Sequence, residues 1–114
     1  MSAGEVSVAE LATHLPAGAF VLDVREPFEY EDAHIPGAAL VPLGDVPARH
    51  DDVPRDRPVY VVCAVGGRSA QAAQFLAHQG VDAYNVAGGT QAWIRAGLPV
   101  AVGESPGDAA DLTH

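Results

Sequence analysis

Val59-Tyr60-Val61-Val62-Cys63-Ala64-Val65-Gly66-Gly67-Arg68-Ser69 decides how this chain is read. The run Val59–Val62 is short, rich in β-branched residues and bounded by Pro58 and Gly66, which marks a strand rather than a helix. From Ser69 onward the period changes. Ala70, Ala73, Leu76 and Ala77 fall on one helical face, and Gly80 ends the pattern. Cys63 therefore stands between the carboxyl end of a strand and the amino end of a helix. Unpaired N–H groups and the helix dipole favour negative charge at such a place. Both predict a lowered thiol pKa and an anion held beside the sulfur. Arg68 adds a permanent cation, and Gly66-Gly67 lets backbone approach a ligand closely. In this setting the lone cysteine reads as a reactive thiolate rather than as a small buried hydrophobe.

Outward from this stretch, strands and helices alternate. Ser7 with Glu10 three residues later is a capping box that opens a short helix ending near Leu15, ahead of Pro16 and Gly18. Ala19–Val24 reads as a central strand, nearly all apolar, and Pro27 suits the first turn of another short helix through about Tyr30. Asp23 and Arg25 close that strand, where functional groups gather in an open parallel sheet. Asp23 either orients Arg68 and the loop backbone or is a buried cap of the next turn. His34-Ile35-Pro36-Gly37 turns the chain into a short strand, Ala39–Val41. His34 beside that turn is expected to be a structural hydrogen bonder.

Residues 44–58 mix four aspartates with Arg49, Arg55 and Arg57 and read as a solvated connection with room for one helical turn. Val81–Val86 is the last expected strand. Ala87-Gly88-Gly89 then makes a tight turn into a helix from Thr90 to Ala96, and this is a better reading than a phosphate cradle. Trp93 belongs to the core or to a pocket wall. The pattern predicts one α/β domain over residues 1–102 with a parallel sheet, followed by a disordered acidic tail over 103–114.

Composition narrows the function. The chain has 114 residues, 15 acidic against 6 basic, and a formal net charge of −9. Such an acidic chain is a poor partner for nucleic acid or an anionic membrane. All six basic residues are arginine, so lysine Schiff-base chemistry and a phosphate-loop lysine are excluded. One cysteine excludes an internal disulfide and any multi-cysteine zinc site, and the five histidines are scattered, so no metal is expected. No secretory signal or membrane span is expected, and a free reactive thiol suits the cytoplasm.

Four stretches, taken in order, resemble the single-domain rhodanese (sulfurtransferase) family. Leu22-Asp23-Val24-Arg25-Glu26-Pro27-Phe28-Glu29-Tyr30 looks like its first block, and Tyr30 through His34-Ile35-Pro36-Gly37-Ala38 resembles its amino-terminal signature. Cys63-Ala64-Val65-Gly66-Gly67-Arg68-Ser69 is similar to the family's active loop, C-x-x-G-x-R-S. Tyr84-Asn85-Val86-Ala87-Gly88-Gly89 with Ala92-Trp93 resembles the carboxyl-terminal block. The resemblance spans roughly Val6 to Val100. It implies a three-layer α/β/α fold with a central, mainly parallel, rhodanese-like sheet.

The resemblance also implies a persulfide relay. Cys63 takes the outer sulfur of thiosulfate, a polysulfide or a persulfide and passes it to a thiol or to cyanide. Ala64, Val65, Gly66, Gly67, Arg68 and Ser69 form the substrate-binding loop, Asp23 and Arg25 support it, and neither metal nor organic cofactor is needed. The implied partners are a small sulfur donor and a thiol acceptor, with a protein persulfide as a further candidate.

Two positions depart from the family pattern. Ala64 and Val65 stand where relatives often carry basic or hydroxyl residues, so thiosulfate is expected to be a poor donor. Ala33 stands where glycine commonly precedes the signature histidine, a change of little cost outside the left-handed region. A phosphatase of this fold would place arginine six positions after the cysteine. Here Arg68 comes five after Cys63, and a loop one residue shorter fits a persulfide sulfur better than a phosphate. The alternative in another class is a non-catalytic binding or sulfur-sensing module.

Overall fold

The computed structural model describes residues 2–107. Five parallel strands form one sheet: β1 (Gly4–Val6), β2 (Phe20–Asp23), β3 (Ala39–Leu40), β4 (Val59–Val62) and β5 (Ala83–Val86), in the order β1-β5-β4-β2-β3. The helices are α1 (Val8–His14), α2 (Pro27–Asp32), α3 (Val46–Arg49), α4 (Gly67–His78) and α5 (Gly89–Arg95). This is the expected three-layer α/β/α arrangement with a parallel central sheet.

Side-chain alternation explains the layers. Val59 and Val61 of β4 point into one apolar cluster with Leu22, Ala72, Ala73 and Leu76, under α4. Tyr60 and Val62 point into the other, with Leu11, Leu15, Val21 and Trp93, under α1 and α5. Both faces of β4 are covered, so all four of its residues are buried and the strand reads as an unbroken apolar run. The same parity carries Cys63, the next odd residue, to the α4 face.

The strand order sets the position of the site. From β2 the chain steps outward to β3, then returns to the other side of β2 with β4 and continues to β5. The order reverses between β2 and β4, and a crevice opens outside the carboxyl ends of strands at such a point. Asp23 and Arg25 leave β2 there, and Cys63 leaves β4 there.

Local signals account for most element boundaries. The Ser7 hydroxyl accepts the Glu10 N–H at 3.1 Å while the Glu10 carboxylate accepts the Ser7 N–H at 3.0 Å, which closes the capping box that opens α1. Pro27 opens α2 as its first residue. Ala33 has φ −169°, ordinary extended backbone, so no glycine is needed before His34. Helix α4 begins at Gly67, two residues earlier than the period suggests.

Three features differ from the sequence reading. Strand β1 is not anticipated by it; three residues with one valine give no periodicity, and pairing with β5 makes the strand. The 44–58 connection carries more structure than one turn. A 3₁₀ turn at Leu43–Asp45, then α3, then a second at His50–Asp52 seat Val46 and Val53 in the core.

The third is the start of the expected tail. Residues 103–107 lie against the domain: Gly103 N–H donates to Glu31 O at 2.7 Å and Gly37 N–H donates to Pro106 O at 2.7 Å. The remainder of that segment lies outside the described residues. His34 has the structural role expected of it. It is fully buried, stacked on Tyr30, with its ring nitrogens on the carbonyls of Tyr30, Ser105 and Pro106. Trp93 is core, with Nε1–H donating to Pro99 O at 2.7 Å.

Candidate active site

The loop that follows β4 is shaped by what holds its carbonyls. Cys63 O accepts the Thr90 N–H at 2.9 Å, and Ala64 O accepts the Gln91 N–H at 3.0 Å. Both donors are free N–H groups in the first turn of α5, which would otherwise lack partners. In a planar trans peptide the N–H points opposite to the carbonyl. With the Ala64 carbonyl turned toward α5, the Val65 N–H of the same peptide turns the other way, toward the sulfur. Gly66 N–H donates to Cys63 Sγ at 3.1 Å.

Two glycines make this approach possible. Gly66 has φ +113° and caps α4 in a left-handed conformation. Gly89 has φ +62°, and a Cβ there would sit 2.5 Å from Cys63 O. The Gly88-Gly89 pair is thus the tight strand-to-helix turn expected of it, packed directly on the loop.

Cys63 itself is 1% exposed. Burial raises its thiol pKa, but hydrogen bonds outweigh burial, and the net shift is downward. The Ser69 hydroxyl, at 3.3 Å from Sγ, is the largest single cause of that lowering, followed by the backbone N–H groups of Ser69, Gly66 and Val65. The lowered thiol expected from a strand–loop–helix junction is therefore present, and its source is identifiable. Among the described residues, no group of three or more His, Cys, Asp or Glu is placed to hold a metal.

The flanking charges are arranged differently from expectation. Arg68 is not a free cation at the loop. Its guanidinium grips Glu29 of α2 at two points, 2.8 and 2.9 Å. Nor does Asp23 orient Arg68. Asp23 is fully buried and accepts the Arg25 backbone N–H at 3.0 Å and the Arg25 guanidinium at 2.8 Å. It is therefore the buried cap of its turn, the other of the two readings. Arg25, 5% exposed, also donates to Ala33 O at 2.8 Å and ties the end of α2 to the end of β2.

Beside the loop lies a cleft of about 430 Å³, lined in part by Ala64, Phe28, Ile94, Glu29 and Asp32. Phe28, Ile94 and Val65 are all exposed. The lining mixes apolar Phe28, Ala64 and Ile94 with polar Glu29, Asp32, Thr90 and Gln91, and both nearby arginines already hold carboxylates.

Two residues without an assigned sequence role belong to the site. Glu29 pairs with Arg68 across 39 positions of sequence, a separation that leaves no local signal. Asn85 did leave one, as a polar residue in a strand that is otherwise apolar or aromatic. It has the parity of Ala83, which places it on the α4 side, beside Val61 in the ladder, and its Oδ1 accepts the Ser69 hydroxyl at 2.6 Å.

Comparison with known proteins gives the family of this fold. The chain is 39% identical over 85 residues to a sulfurtransferase of Allochromatium vinosum, covering 74% of this chain and 79% of that protein. Its fold matches a rhodanese-related protein from Thermoplasma volcanium with TM-score 0.83 and 35% identity, over 87% of this chain and 98% of the other. A rhodanese-like domain protein from Staphylococcus aureus matches with TM-score 0.75 and 34% identity, over 79% and 90% of the two chains. The rhodanese-like domain model matches residues 7–96, and with the loop, the strand order and these relatives in agreement, the chain belongs to the rhodanese-like domain family.

Proposed function

We propose that this protein is a sulfurtransferase that carries sulfane sulfur on Cys63. The observation that supports this best is the sulfur's own environment, in which Sγ receives the Gly66 N–H and the Ser69 hydroxyl in a loop that also lowers its pKa. Such a sulfur is poised as a nucleophile, and the same donors would hold the charge of a bound persulfide.

The transfer balances without an external redox partner. The Cys63 thiolate attacks the outer sulfur of a persulfide R–S–S⁻. A new S–S bond forms to Sγ, the donor's S–S bond breaks, and R–S⁻ leaves. An acceptor thiolate then attacks the outer sulfur of Cys63–S–S⁻. The bond to Sγ breaks and the Cys63 thiolate returns. With thiosulfate as donor, the leaving group of the first step is sulfite.

The rim selects among donors. Glu29 and Asp23 occupy the two arginines at the site, Ala64, Phe28 and Ile94 give the cleft its apolar surface, and Val65 of the loop is exposed. Among the described residues, a dianion such as thiosulfate meets no free cation there. A glutathione persulfide or a protein persulfide suits the cleft better. The small thiol acceptor and the reducing chemistry fit a cytoplasmic setting, and none of the described helices is long and apolar enough to cross a membrane.

The test is intact mass after incubation with glutathione persulfide and, separately, with thiosulfate, for the wild type and for Cys63→Ser. The expected result is a gain of one sulfur that requires Cys63, is removed by cyanide, and forms faster from glutathione persulfide. No gain from either donor would replace this reading with that of a non-catalytic module. Equal or faster labelling by thiosulfate would overturn the donor preference.

A further inference from the structure

The Ser69 hydroxyl has one proton and two acceptors. Its Oγ lies 3.3 Å from Cys63 Sγ and 2.6 Å from Asn85 Oδ1. Ser69 is fully buried and Asn85 is 7% exposed. A hydroxyl donates one hydrogen bond at a time, so the two acceptors compete.

The orientation of the Asn85 amide decides what Ser69 meets. Asn85 Nδ2 donates to Glu5 Oε2 on β1 at 3.4 Å. Reversing the amide would set Oδ1 against that carboxylate. Glu5 therefore keeps Oδ1, an acceptor only, turned toward Ser69.

We propose that Asn85 is a positioning residue that competes with Cys63 for the single Ser69 proton and so sets how readily the sulfur takes its anionic form. With the sulfur protonated, the Ser69 proton rests on Asn85. When Sγ becomes anionic, the stronger acceptor draws the proton over, and Asn85 loses its bond. Part of the benefit of the Ser69–sulfur bond is thus spent in breaking the Ser69–Asn85 bond.

The consequence for catalysis rests on the sulfur-transfer reading of Cys63. There, Sγ is nucleophile in the first step and leaving group in the second, and the Ser69 proton is drawn to Sγ in each thiolate state and relaxes to Asn85 between them. The other groups on the sulfur are the fixed backbone N–H donors of Val65, Gly66 and Ser69, and the charged groups around the loop are already paired. Arg68 of α4 is held by Glu29 of α2, and the Asp23–Arg25 pair stands at the end of β2. Glu5 of β1 lies behind Asn85.

The experiment is the iodoacetamide rate of Cys63 against pH, read by intact mass on reduced protein whose fold is checked by circular dichroism. Ser69→Ala should raise the midpoint and slow the reaction at neutral pH by about tenfold. Asn85→Leu fills the same space without an acceptor. It should lower the midpoint and speed the reaction severalfold below it. The double variant should match Ser69→Ala alone, because Asn85 acts only through Ser69. Asn85→Ala gives the same reading if the leucine does not fold.

A midpoint that stays or rises when Asn85 is replaced would overturn the proposal. So would an equal shift in the Ser69→Ala background. The titration needs no sulfur donor, so it can succeed while persulfide formation fails, and the two readings stand or fall separately.

Discussion

Glu29 and Arg68 clamp the mouth of the loop, with Nη1 on Oε1 at 2.8 Å and Nη2 on Oε2 at 2.9 Å. The pair joins the first turn of α2 to the first turn of α4, the two helices that follow the strands flanking the crevice. Its matched geometry favours a bidentate bond over a diffuse surface contact. It also neutralises a cation that would otherwise face incoming anions.

The clamp makes stability depend on acid pH. The Arg68 hydrogen bonds hold the Glu29 carboxyl at about 2, below the ordinary 4.5, against the opposing effect of burial. A carboxyl with a depressed folded pKa stabilises above its ordinary value, and that contribution is lost as pH falls from there through about 2. The side chains are 21% and 37% exposed, so screening limits the effect to about 1 kcal/mol. Urea unfolding at neutral pH and near pH 3 should show Glu29→Gln losing less stability on acidification than the wild type. Equal losses would mean that the pair adds nothing in solution.

The same substitution should change donor choice. Glu29→Gln frees the Arg68 guanidinium at a mouth that otherwise has no unpaired cation among its described residues. Thiosulfate labelling of Cys63 should then speed up severalfold relative to labelling by glutathione persulfide. An unchanged ratio would show that rim apolarity, from Ala64, Val65 and Phe28, sets the preference instead.

Fold and loop were legible for different reasons. Val59–Val62 and Ala19–Val24 advertise their burial because both faces of a central parallel strand are covered, and Ser7, Pro27, Gly66 and Gly89 mark boundaries by local chemistry. Cys63 was legible because it sits where a strand ends and a helix begins. What the sequence hides is long-range pairing. The partner of Arg68 is 39 residues away, and the partner of the Ser69 hydroxyl is 16 residues away. Asp23 kept two readings open because a buried aspartate can serve its own turn or a distant arginine, and only the position of Arg25 decides.

Asp23 and Arg25 are a buried pair, and removing one member leaves the other charge uncompensated. Asp23→Ala should cost about 3–5 kcal/mol in urea unfolding. None of the hydrogen bonds made by the Asp23 side chain reaches the loop, so the iodoacetamide rate of the folded protein should stay near the wild-type value. A large fall in that rate with stability retained would return Asp23 to the active loop.

Gly89 and Gly67 should respond in opposite ways to alanine. At Gly89 the added Cβ would lie 2.5 Å from Cys63 O and 2.6 Å from Ala64 O, at a φ of +62°. Both carbonyls are held by the first turn of α5, so the loop must give way. A loss of about 3 kcal/mol and a disturbed Cys63 pH profile are expected. At Gly67, the first residue of α4, nothing lies within 4 Å of the Cβ position. Gly67→Ala should be neutral or stabilise by about 0.5 kcal/mol through reduced freedom of the unfolded chain. Thermal unfolding of both variants checks the contrast, and similar losses would mean that the loop does not need the close approach of α5.

The last prediction concerns the domain boundary. The sequence places it at residue 102, but His34 is buried under the segment that follows. Its Nε2 lies 3.0 Å from Ser105 O and 3.1 Å from Pro106 O, and its Nδ1 lies 2.7 Å from Tyr30 O. Gly37 N–H and Gly103 N–H add bonds to and from the same segment. Ending the chain at Val102 leaves Nδ1 on Tyr30 O but removes the bonds that involve Gly103, Ser105 and Pro106 and uncovers His34, while ordering the segment costs entropy that is recovered. The net loss should be about 1–2 kcal/mol relative to a chain ending at Gly107. Urea midpoints of the two chains measure it directly. Equal midpoints would show that 103–107 merely lies on the domain; a gap in the expected direction would make it the strap that closes the His34 side of the fold.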